Sequence, residues 1–107
     1  MLGKIVTVTV DRPLGSYHPD YPDLYYPVNY GYIEGTLSAD DEEIDAYVLG
    51  IDTPVSEFRG RVVAIIHRKN DIEDKLVVAP DNTRLTEKEV LEGTFFQEKY
   101  FDIEIKL

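Results

Sequence analysis

Tyr25–Asp45, YYPVNYGYIEGTLSADDEEID, sets a conformationally restricted aromatic turn directly before a dense run of carboxylates. Pro27 fixes its own φ and biases Tyr26 towards extended backbone, while Gly31 offers backbone angles that a side chain forbids. Tyr26, Tyr30 and Tyr32 then place hydroxyls at spaced points along the chain. Asp40, Glu42 and Asp45 follow within six residues of one another. Carboxylates gathered in one concave place repel one another unless cations bind between them, so this stretch predicts a divalent-metal site.

Working outward, the hydrophobic pattern has the two-residue period of strands. Tyr30 to Thr36 reads as one strand and Ile44 to Leu49 as the next, joined by an acidic turn. Ile44, Ala46 and Val48 share one face, leaving Asp45, Tyr47 and Leu49 on the other. Upstream, the Val/Thr-rich Lys4 to Val10 reads as the first strand, and Gly15 to Pro27, rich in Tyr, Pro and Asp, as an ordered surface loop. Downstream, Phe58 to His67 is the longest apolar strand candidate. Val62, Ala64 and Ile66 face one way and Arg61, Val63, Ile65 and His67 the other, so both faces are apolar, as where a sheet curls into a barrel. After the turn RKNDIED, Lys75 to Ala79 forms a hairpin partner stopped by Pro80. Thr86 followed by Glu89 is a capping-box pattern that predicts a helix over Glu87 to Glu92, ended by Gly93. The tail TFFQEKYFDIEIKL carries both a helical and an alternating pattern, and either is open. The expected fold class is mainly β: a small five-stranded OB-like closed barrel with a short C-terminal helix, as one domain over residues 1–107.

Composition narrows the function. Hydrophobic residues at 43% and charged residues at 30% belong to a folded globular chain. The net charge of −10 is local: residues 13–58 contain ten acids and no Lys or Arg, which leaves 11 of the 21 acids to balance all 11 bases elsewhere. A surface of that sign repels a polyphosphate backbone, so nucleic acid is not an expected partner. MLGKIVTVTV reads as a strand and not as a signal peptide, and no stretch is long and apolar enough to span a membrane, so the expected compartment is the cytoplasm. Cysteine is absent, which excludes disulfides and thiolate metal sites. The many aromatics allow a homo-oligomer.

The succession YPVNYGYI, DDEEID, EDKLVVAP and FFQEKYF resembles the soluble family I inorganic pyrophosphatases, in which YPxNYGYI precedes a DxDPxD metal motif and a D-x-K element follows. VTVTVDRPLGS is similar to the family's first strand. The resemblance implies that Asp40, Glu42 and Asp45 occupy the DxDPxD carboxylate places, with Glu42 for an Asp and Asp45 as the shared ligand. It implies that Glu73 and Lys75 match D-x-K, that Asp71 is the preceding carboxylate, and that Tyr26 and Tyr30 stand beside the site. The metal set is then Asp40, Glu42, Asp45, Asp71 and Glu73, holding Mg2+ or another divalent cation. The resemblance further implies that Tyr30, Asp45, Asp71 and Lys75 carry catalysis, and that Arg12, Tyr26, Lys75 and Tyr100 bind a small phosphate-containing substrate.

The chain departs from the family pattern in two places. SYHPDYPDLY replaces a hairpin that carries a Lys, a Glu and an Arg in the family, and Lys99-Tyr100-Phe101 shifts the terminal cation by a position. Two functions are therefore open: hydrolysis of pyrophosphate, or a pyrophosphatase-like binding module without turnover. His18 and His67 are read as loop and strand-face residues, Arg68 as a surface charge, and Arg12 as a partner of Asp11 or Asp20 if it does not bind substrate.

Overall fold

The structure, a computed structural model, describes residues 1–36, 41–71 and 73–107. The candidate ligand Asp40 lies outside these residues. Among these residues, six strands and one helix follow in the order β1 (Ile5–Arg12), β2 (Asn29–Ile33), β3 (Ile44–Val48), β4 (Glu57–Arg68), β5 (Asp74–Ala79), α1 (Glu87–Glu98) and β6 (Ile103–Lys106). The first five strands close into the expected barrel, because the sheet order β1-β2-β3-β5-β4 is completed by a β1–β4 pairing.

The length of β4 makes closure possible. Its first residues, Glu57 to Arg61, lie antiparallel to β1, while Arg61 to His67 pair with β5 on the other edge. Beyond β1, the same edge of β4 takes β6 at Ile65 to Arg68. Strands β3 and β5 run parallel, with Ala46 opposite Leu76.

Two apolar clusters explain why β3, β4 and β5 read as nearly continuous hydrophobic runs. The barrel interior is filled by Val8, Val10, Ile33, Ala46, Val48, Val62, Leu76 and Val78. On the outer face, Tyr47, Leu49, Ala64, Ile66, Val77 and Val90 form a second core, with Phe96, Ile103 and Ile105 packed against it. Each fully buried Val or Ile contributes about 1.5–3 kcal/mol, so the strands are held from both sides. No helix among the described residues is long and apolar enough to cross a membrane.

Two glycines act differently from the sequence expectation. Gly31 is not in the positive-φ conformation; it is required because a Cβ there would lie 1.9 Å from the Thr9 carbonyl oxygen, where β1 and β2 approach closely. Gly93 does not end α1, which continues to Glu98. It lies under Leu49, whose Cδ atoms would stand 2.9 Å from a Cβ, and so lets the helix settle on the outer core. The capping box forms as expected, with Thr86 accepting from Glu89 N and the Glu89 carboxylate accepting from Thr86 N. Both patterns in the tail are realised in succession, the helix through Glu98 and then the strand β6.

Candidate functional site

The parallel register of β3 and β5 decides which side chains meet. Since Ala46 faces Leu76, Asp45 and Lys75 occupy the preceding step on neighbouring strands. Glu73, two residues before Lys75, returns to the same face. The result is a three-membered cluster: Lys75 Nζ donates to Asp45 Oδ2 at 2.7 Å and to Glu73 Oε2 at 2.8 Å. Antiparallel pairing of β2 with β3 puts Tyr32 opposite Asp45 and Tyr30 opposite Tyr47. Tyr30 reaches diagonally along this ladder, and its hydroxyl donates to Asp45 Oδ2 at 2.9 Å. The Lys75 side chain is only 5% exposed, against 36% for Asp45 and 23% for Glu73, so the ammonium sits beneath two carboxylates that face outward. Burial, and then the charge of Asp45, push the Tyr30 phenol far above its ordinary pKa of 10.0, which keeps it a hydrogen-bond donor.

Behind the cluster lies a buried polar chain that runs into the last turn of α1. Tyr26, 1% exposed, donates to Gln97 Oε1 at 3.1 Å, and Gln97 Nε2 donates to the Tyr47 hydroxyl at 2.8 Å. Tyr47 donates in turn to Glu98 Oε2. Arg68 closes the chain with a bidentate pair, its Nε and Nη2 donating to the Glu98 oxygens at 2.9 and 2.6 Å while its guanidinium lies 3.7 Å from the Phe101 ring centre. Burial works to lower the Arg68 pKa, but the hydrogen bonds and charge of Glu98 outweigh it and hold the pKa above the ordinary value. Burial and then Glu98 likewise raise the Tyr47 phenol. The ring of Tyr26 packs 5.6 Å from Tyr30 and 5.4 Å from Phe96, so the aromatic motif and the C-terminal helix form one layer.

Asp45, Glu73, Lys75 and Tyr30 are thus brought together, and Tyr26 is tied to them through the Tyr30 ring. Asp71 lies beside Glu73, whose backbone N–H donates to Asp71 Oδ1 at 3.4 Å. Glu42 is exposed on the turn before β3. Among the described residues, no three acidic or histidine side chains form a cluster that could hold a metal ion by themselves. Arg12 does pair with Asp11, donating to its carbonyl at 3.1 Å. It also stands next to the Tyr26 phenol, where its charge and hydrogen bond oppose the burial that raises the Tyr26 pKa. Arg12 Nε is buried without a hydrogen-bond partner among the described residues. Tyr100, 68% exposed, lines a separate cleft of about 710 Å³ with Tyr21, Tyr25 and Phe101.

The histidines make local contacts: His18 Nδ1 accepts from Asp20 N at 3.0 Å, and His67 Nδ1 lies 2.7 Å from Asp74 Oδ1. Arg68 is a correction, since it is buried and not a surface charge. Glu98 and Gln97 were not singled out by sequence. The signal for Glu98 was its spacing, four residues beyond Thr94 and eight beyond Val90, the other two buried positions of the helix.

The model of the inorganic pyrophosphatase family matches residues 4–100. The chain belongs to that family. Family members are hydrolases by name, and similar sequences bear it: an inorganic pyrophosphatase of Gluconobacter oxydans is 28% identical over 124 aligned positions, covering 95% of this chain and 70% of that protein. Inorganic pyrophosphatase 1 of Pseudomonas syringae pv. tomato is 36% identical over 67 residues, covering 60% of this chain. The chain spans 38% of that relative's length and 48% of the similar protein of Aquifex pyrophilus. The crystal structure of inorganic pyrophosphatase from Ehrlichia chaffeensis superposes with a TM-score of 0.73 at 20% identity, over 99% of this chain and 87% of that one, which shows the shared fold.

Proposed function

We propose that the chain hydrolyses inorganic pyrophosphate to two phosphates with the help of Mg2+ at the barrel rim formed by β3 and β5. The observation that carries this reading is the convergence of Asp45 and Glu73 on one ammonium nitrogen, in a chain of this family. A cation already bridges these two carboxylates, one on β3 and the other just before β5. Their hard oxygen donors, with Asp71 and Glu42 nearby in sequence and Asp40 outside the described residues, suit a hard divalent ion. Magnesium, when bound, neutralises phosphate oxygens and acidifies water.

The chain's own residues have the remaining tasks. Water adds to one phosphorus, the bridging P–O bond breaks, and the departing phosphate carries away the electron pair of that bond and gains a proton. Little covalent chemistry is asked of the protein, so placing charge and holding orientation suffice. Tyr30 holds the Asp45 carboxylate in one orientation and, with its raised pKa, acts as a donor and not as a base. Lys75 supplies positive charge to the departing phosphate. Arg12, whose Nε lacks a partner among the described residues, supplies a donor beside Tyr26 for the other phosphate. The cytoplasm is the compartment that fits this reading.

One feature favours the second reading, a metal and phosphate-binding module without turnover. The loop before β2 contains no Lys or Arg from Pro13 onward, where the family resemblance implies a cationic hairpin. Phosphate release from pyrophosphate at high protein concentration, with and without Mg2+, separates the two: Mg2+-dependent release supports the enzyme, and binding of Mg2+ with pyrophosphate but no release supports the module.

A further inference from the structure

The position of Lys75 has a consequence for how the site is loaded. Its ammonium lies 2.7 Å from Asp45 Oδ2 and 2.8 Å from Glu73 Oε2, the distances of charge-assisted hydrogen bonds. A magnesium ion bonded to the same oxygens sits at about 2.0–2.1 Å from them, inside the volume that the ammonium now fills. Asp45 Oδ2 also accepts from Tyr30, so this oxygen is held on two sides and cannot easily turn to serve both cations at once. With its side chain only 5% exposed, Lys75 is covered by the cluster it holds together.

We propose that Lys75 is an internal counter-cation that a divalent ion must displace from Asp45 and Glu73, so that loading the metal delivers a cation to the arriving anion. This rests on the reading that Asp45 and Glu73 bind metal. The metal and the ammonium compete for one pair of carboxylates, which weakens metal binding to the anion-free protein. An anion that accepts the displaced ammonium lifts that competition. Metal and anion therefore strengthen each other's binding, and by linkage they do so to the same extent. A strongly negative chain thereby keeps its paired carboxylates neutralised until both partners are present.

Calorimetric titration of Mn2+ into the full chain, with and without inorganic phosphate, tests the proposal in wild type, Lys75→Met, Lys75→Arg and Asp45→Asn. In Lys75→Met the competitor is gone, and Mn2+ binding without phosphate strengthens about tenfold, the equivalent of 1.4 kcal/mol. Phosphate tightens Mn2+ binding at least about fivefold in wild type but less than about twofold in Lys75→Met. Lys75→Arg, which keeps the charge in a fork that grips both carboxylates, weakens Mn2+ binding and serves as the deciding variant if Lys75→Met does not fold. Unchanged or weaker Mn2+ binding in folded Lys75→Met, or Mn2+ binding in Lys75→Arg equal to wild type, overturns the displacement. Failure of the metal reading looks different: wild type and Lys75→Met both fail to bind Mn2+, or Asp45→Asn binds it as tightly as wild type, and the displacement falls with it.

Discussion

Removing Glu98 alone should be far more damaging than removing it together with Arg68. In Glu98→Leu, the Arg68 guanidinium, with 8% of its side chain exposed, loses both carboxylate oxygens, and the Tyr47 hydroxyl loses its acceptor. An uncompensated buried charge of this kind costs about 3–5 kcal/mol, and solvent can screen little of it because the Arg68 side chain that carries the charge is only 8% exposed. The Phe101 ring already lies against the guanidinium in wild type, so it offers no new contact to offset the loss. For a domain of this size the loss corresponds to a melting temperature lower by roughly 15–25 °C. In Arg68→Met/Glu98→Leu no charge is stranded, and apolar side chains of similar volume join the outer core, so most of the loss should be regained. Chemical denaturation of wild type, both single variants and the double variant closes the cycle. A cost below about 1 kcal/mol for Glu98→Leu, or a double variant as unstable as that single one, would refute the assignment of this pair as the lock between β4 and α1.

Three further outcomes follow from the same geometry. Gly31→Ala should cost more than about 2 kcal/mol in urea denaturation, because the new Cβ meets the Thr9 backbone at 1.9 Å and no flexible side chain can yield; a near-neutral result would mean that β1 and β2 are farther apart. Thr86→Ala removes the acceptor for Glu89 N and should cost about 1 kcal/mol of thermal stability, with Thr86→Ser recovering most of it. Tyr30 and Tyr47 have folded-state pKa values raised above 10.0, so the folded chain holds their protons more tightly than the unfolded chain. Their contribution is complete below pH 10 and declines as pH rises through that value, by about 1.4 kcal/mol per unit for each tyrosine. Urea midpoints that stay level between neutral and strongly alkaline pH would contradict this.

The strands were legible because period-two alternation of β-branched residues is a local signal, and because two-sided burial leaves an unbroken apolar run in β4 and β5. The cluster at Asp45 was legible only in part. Alternation placed Asp45 and Lys75 on their strands, but the parallel β3–β5 register that joins them is a long-range fact that no local pattern carries. Gly93 misled for a physical reason: a glycine near a helix end usually relieves backbone strain, whereas this one makes room for Leu49. The expected common face of Val62, Ala64 and Ile66 breaks at the bulge between Val62 and Ala64, which leaves Val62 in the barrel interior and Ala64 and Ile66 in the outer core. Arg68 continues the parity of Ala64 and Ile66, so its face was available from the sequence. Its burial was hidden, because a cation is expected outside unless its partner is known, and Glu98 lies thirty residues away. Gln97 escaped for the same reason, since its value lies in bridging Tyr26 and Tyr47 from distant strands and loops.

On the proposed function, Asp45 on β3 and Glu73 just before β5 form a seat for a hard cation that brings a phosphate compound to an acidic protein. Anomalous diffraction from a crystal of the full chain soaked in Mn2+ and inorganic phosphate addresses it directly. The expected map has a Mn2+ peak bonded to both carboxylates, with phosphate beside it and Lys75 turned towards the phosphate. A map with Mn2+ elsewhere, or with Lys75 still bridging Asp45 and Glu73 under saturating Mn2+ and phosphate, would contradict it.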